Sequence, residues 1–135
     1  MEPTTPPRKR AIVPKDDATM AFSRPGGESS QPARPRPLDL EHLSRQTMGD
    51  RALEEEVLAM FSHHIGTVRD SVAAADEVER RRLAHTLKGS ALGVGAFALA
   101  DCAARMEADP NDKATLSRLT ALINETRDFI AAISR

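Results

Sequence analysis

Eight of the nine prolines fall before Leu38, and only Pro110 interrupts the rest. Proline has no N–H to give to a helix or a ladder, so residues 1–37 cannot run through a regular element. The same stretch carries Gly26-Gly27, Ser29-Ser30 and few large apolar side chains, too little burial to offset the entropy of ordering it. It is expected to be a disordered Pro/Arg-rich arm. Residues 38–135 then form one domain of about a hundred residues, enough for a single core.

That core has to be built without Trp or Tyr and with only four Phe. Leu, Ile, Val, Met and Ala suit packed helices better than a sandwich of strands. The expected class is all-α. The single Cys102 cannot close an internal disulfide, and no apolar run is long enough to cross a bilayer, so a cytoplasmic setting away from membranes is expected. The arm carries seven Lys/Arg against four Asp/Glu, which leaves the domain mildly acidic within a net charge of -1. A mildly acidic domain without aromatic platforms is a poor binder of polyanions, so no nucleic-acid partner is expected.

Helical spacing begins at Leu38. A short helix is predicted over about Asp39 to Thr47, then a long one with Asp50 as N-cap and Glu54, Glu55 and Glu56 at the positive end of its dipole. Leu53, Val57, Met60, Phe61, Val68 and Val72 form its predicted core stripe. Asp76 and Glu79 resemble a capping box opening a third helix, which ends near Gly93. A fourth runs from about Gly95 to Ala108. Asp109-Pro110 breaks it, and a last helix to about Ser134 carries Leu116, Leu119, Ile123, Ile130 and Ile133 inward. Short loops between long helices predict an antiparallel four-helix bundle with a short additional N-terminal helix.

At about 100° per residue, with Leu83 at zero, Leu87 and Val94 fall within about 40° of it and point inward. On the same count Lys88 lies at about 140°, Leu92 at about 180°, His85 at about 200° and Gly89 at about 240°. These four share the outward face. A lone surface histidine usually has no role, but here an ammonium lies one turn away on the same face, able to offset a phosphoryl charge of nearly -2. Gly89 is costly inside a helix, by about 1 kcal/mol relative to Ala, and a missing side chain beside the histidine opens access to another protein.

Ala84-His85-Thr86-Leu87-Lys88-Gly89-Ser90-Ala91, then Gly95-Ala96, Leu99, Cys102 and Met106-Glu107, resembles the signature of the histidine-containing phosphotransfer (HPt) family of two-component phosphorelays. The likeness extends over nearly all of Leu38 to Arg135. It implies that His85 is the phosphoacceptor, that Lys88 steadies the phosphoryl oxygens and that Gly89 opens the approach. Glu107 matches a position near the acceptor where several members carry Gln. A carboxylate there favours a protonated imidazole and repels a nearby phosphoryl group, or is simply a solvated charge.

By the same resemblance the chain is a carrier with no catalytic site of its own. It accepts a phosphoryl group from a receiver-domain aspartate and returns it to another receiver, its partners being response regulators and hybrid histidine kinases. The Mg²⁺ belongs to the receiver, so no cofactor is implied here. No catalytic or receiver segment flanks the bundle, and a free-standing monomer is expected.

Leu92 and Phe97 are apolar where the helical count faces them to water, either as stray exposed residues or as the dry centre of a docking surface rimmed by Arg81, Arg82 and Lys88. His63-His64 lacks further ligands at metal spacing, so no metal site is expected, and Cys102 is expected in the core. Gly93-Val94-Gly95 lacks the rest of a nucleotide fingerprint. The competing reading is a helical adaptor that binds a receiver or other partner without accepting phosphate.

Overall fold

The computed structural model describes residues 36–134. The expected arm lies outside the described residues except for Arg36 and Pro37, and the compact unit that contains the helices begins at Arg36. Among the described residues there are five helices and no strand: α1 (Leu40–Gln46), α2 (Arg51–Val72), α3 (Glu77–Val94), α4 (Phe97–Ala108) and α5 (Lys113–Ile133).

Four of the five starts are written in the sequence as aspartates. Asp39, Asp50, Asp76 and Asp112 each sit at an N-cap and accept from a backbone N–H of the first turn. The capping box at α3 is half formed. Asp76 accepts from the Glu79 N–H at 2.8 Å, but the Glu79 carboxylate turns to Arg82 instead of back to the cap.

α3 runs one residue past the predicted end at Gly93, and α4 begins two residues after the predicted start at Gly95. The stop is a Schellman turn: the Ala96 N–H donates to the Ala91 carbonyl at 2.8 Å and the Gly95 N–H to that of Leu92. Gly95 takes φ +86, and a Cβ there would lie 2.9 Å from the Asp39 carbonyl oxygen. Its own carbonyl accepts from the Asp39 N–H at 3.0 Å, so this glycine both ends α3 and seats the start of α1.

The helices α2 to α5 form a ring in which α2 meets α3 and α5, and α4 meets α3 and α5. Loops of two to four residues reverse the chain each time, as an antiparallel bundle requires. α1 lies against α3, with Leu38 and Leu43 buried and Thr47 bonded to Glu54 at 3.2 Å across the corner into α2.

The core of α2 is Leu58, Phe61, Ile65, Val68 and Val72. Leu53 and Met60, predicted for this stripe, are exposed instead, as is Ile133 on α5. Recentred on Phe61, the stripe runs through Leu58 and Ile65, and Leu53 and Met60 fall at its edge, about 80–100° away. A similar correction applies to α3. Leu83 is half-buried, and Ala84 and Ala91 are fully packed, so the buried face is centred between Leu87 and Ala91.

The shift matters for the site. Ala84 and Ala91 on α3 and Ala100 and Ala103 on α4 are all buried, and small side chains let these helices come close. Their contact is the most extensive in the bundle.

Candidate functional site

His85 stands on the middle of α3 with its side chain 70% exposed. Gly89 follows one turn later with nothing within 4 Å of where its Cβ would be, so no packing in the chain requires a glycine there. Lys88 is less free than the helical count suggests. Its side chain is 34% exposed, because the recentred core face turns it toward α4.

On α4, Glu107 meets both residues. Its Oε2 lies 2.8 Å from His85 Nδ1, and its Oε1 accepts from Lys88 Nζ at 2.8 Å. Glu107 is therefore no solvated charge, and the close approach of α3 and α4 is what brings it within reach. The hydrogen bond from Lys88 and then that from His85 hold its carboxyl below the usual value of 4.5, against a smaller opposing effect of burial.

An ionised carboxylate can only accept, so the bond places the imidazole proton on Nδ1. In the neutral ring Nε2 then keeps its lone pair, and it makes no hydrogen bond among the described residues. The arrangement presents one nucleophilic nitrogen outward and a negative charge behind the ring. That charge offsets the positive one that develops on the imidazole as Nε2 forms a bond.

The two arginines expected on a docking rim are engaged within the chain. Arg82 pairs with Glu79, and Arg81 donates to the Glu107 carbonyl at 2.7 Å and to Glu77. Leu92 and Phe97 are exposed, at 49% and 42%. Phe97 also packs edge-on against His42 of α1, with ring centroids 5.2 Å apart, a contact the sequence does not foretell. Val78, two turns before His85 on the same face, is a further exposed apolar residue that the helical count could have found.

The remaining candidates sit apart from this face. His63 is exposed on α2, and His64 is half-buried with its Nε2 enclosed and without a hydrogen-bond partner. Cys102 is buried, its thiol near the Thr115 carbonyl, and burial pushes its pKa up. Among the described residues no group of three His, Cys, Asp or Glu is placed to hold a metal, and no helix is long and apolar enough to cross a membrane.

An exposed histidine thus stands on the helical bundle, backed by a carboxylate and with an open glycine beside it. The chain belongs to the HPt family, whose model, described as Hpt domain, matches residues 50–133. Domains of this family carry phosphoryl groups in phosphorelays and are not themselves catalysts. α1 lies outside the matched span but packs on α3 all the same. Comparison with curated proteins and with solved structures gave no match.

Proposed function

We propose that this protein accepts a phosphoryl group on His85 Nε2 from the aspartate of a receiver domain and passes it to a response regulator. The observation that carries this reading is the 2.8 Å contact of Nδ1 with the Glu107 carboxylate on a ring left 70% exposed. It fixes the tautomer and leaves the opposite nitrogen both basic and accessible.

In the forward step the Nε2 lone pair forms a bond to phosphorus as the bond from phosphorus to the aspartyl oxygen breaks, freeing the receiver's carboxylate. No proton need leave, since Nδ1 keeps its own against Glu107 and the phosphorylated ring becomes a cation. Lys88, held by Glu107 beforehand, exchanges that partner for a phosphoryl oxygen. The acidic pocket and Mg²⁺ that assist transfer are the receiver's. The exposed Val78, Leu92 and Phe97 provide the apolar contact for docking, and the open space at Gly89 lets the receiver's reacting group come near.

An adaptor that only bound a receiver would have no use for a fixed histidine tautomer. Incubating the chain with phosphorylated receiver domains separates the two. The carrier takes up label and the His85→Gln variant takes up none while keeping its helical content. Receiver binding by the parent without any label would instead establish the adaptor.

A further inference from the structure

Glu107 occupies a place where a side chain is hard to hold. It is the penultimate residue of α4, in a last turn whose carbonyls have few partners within the helix and which frays unless capped. Yet its carboxylate must stay fixed for His85 and Lys88 to keep the geometry described above.

The cap comes from α3. Arg81 Nη1 donates to the Glu107 carbonyl oxygen at 2.7 Å, bringing a cation to the negative end of the α4 dipole. Its Nη2 donates to Glu77 Oε2 at 3.2 Å, and Glu77 Oε1 accepts from Asn111 Nδ2 in the turn after α4 at 3.0 Å. Beside it, Arg80 donates to the Pro110 carbonyl at 3.2 Å and to the carbonyls of Val72 and Ala73 at the end of α2. Glu77, Arg81, His85 and Gly89 are spaced four apart, so one stripe of α3 holds both the acceptor and the anchor of the residue behind it.

We infer that Arg81 is a positioning residue for phosphoryl transfer: it fixes Glu107 by its backbone carbonyl, so that the Glu107 carboxylate keeps the His85 proton on Nδ1 and Nε2 free, with Glu77 and Asn111 holding Arg81 in place. The inference rests on the reading of His85 Nε2 as the acceptor. It separates from a rim role, in which Arg81 would touch the receiver and leave His85 unaffected.

Two measurements on the full chain test it. Long-range ¹H–¹⁵N spectra report which ring nitrogen of His85 carries the proton, and phosphoramidate supplies a phosphoryl donor that needs no docking surface. In that reaction Nε2 bonds to phosphorus, the phosphorus–nitrogen bond breaks and ammonia leaves. In Arg81→Ala, part of the Nδ1–H tautomer gives way to Nε2–H. Labelling falls by roughly three- to tenfold, the size of one lost hydrogen bond, and equally for phosphoramidate and for a phosphorylated receiver domain. Arg81→Lys, which keeps a cation able to donate to the carbonyl, recovers most of both, and Glu77→Gln moves both in the same direction by less. If Arg81→Ala loses its fold, the Arg81→Lys and Glu77→Gln comparison decides alone. An unchanged tautomer, or slowing with the receiver but not with phosphoramidate, overturns the inference. A parent chain labelled on another residue overturns the acceptor reading itself.

Discussion

A carboxylate held between an ammonium and an imidazole reports its surroundings through its own titration. With Lys88 and then His85 bonded to it, Glu107 ionises more readily than a free glutamate. A group whose pKa is depressed on folding contributes stability that is present above its unfolded value and lost as pH falls through the folded one. The bridge to His85 and Lys88 is therefore expected to survive from neutral pH down to the ordinary glutamate range and to open only below it. Carboxyl-carbon NMR of Glu107 checks this, with a midpoint under 4.5 in the parent and a return toward that value in Lys88→Ala. His64 offers a contrasting case. Its enclosed Nε2 bears a desolvation cost with no bond in return, so His64→Leu is expected to raise stability by about 1 kcal/mol in denaturant titrations while leaving the His85 face untouched.

Helix starts, breaks and faces show which parts of the structure could be read from the chain. The aspartate caps and the Asp109-Pro110 break mark four of the five helices to within a residue or two, because capping chemistry is local. The pattern of faces was legible only coarsely. Leu53, Met60 and Ile133 carry the right periodicity yet lie at the edge of their stripes, and burial at an edge depends on which neighbour is present. The outward angles of His85, Gly89 and Leu92 followed from arithmetic alone. That Lys88 and His85 share Glu107, or that Arg81 caps α4, did not, since those contacts depend on how closely α3 and α4 pack. Two glycines, Gly89 within α3 and Gly95 just past its end, separate cleanly at this scale. Gly89 has open space and helical geometry, so Gly89→Ala is expected to raise stability by roughly 0.5–1 kcal/mol. Gly95 has φ +86 and the Asp39 carbonyl against it, so Gly95→Ala is expected to cost about 1–2 kcal/mol or more. Thermal melts of the pair show opposite signs if the helix end is built as described.

Taken whole, the bundle holds the His85 ring at the surface with the Glu107 carboxylate behind it. Four helices close a largely aliphatic core, α3 and α4 both bury alanines, and the close approach of the two helices brings Glu107 within reach of the histidine. Of the apolar residues left outside this core, Val78 and Leu92 share the outward stripe of α3 with His85, and Phe97 is exposed at the start of α4. Leu92→Glu is expected to melt like the parent and to slow transfer from a receiver severalfold or more, as for an anchor in a small transient interface. A fall in stability with transfer intact would place Leu92 in the fold instead. The account as a whole rests on Nε2 of His85 receiving the phosphoryl group while Nδ1 stays bonded to Glu107. Phosphorus-31 and nitrogen-15 NMR of the ¹⁵N-labelled chain after transfer from a receiver reads both nitrogens at once. The account predicts phosphorus coupled to Nε2 of His85 with the proton retained on Nδ1, and phosphorus on Nδ1, or on any other histidine, would contradict it.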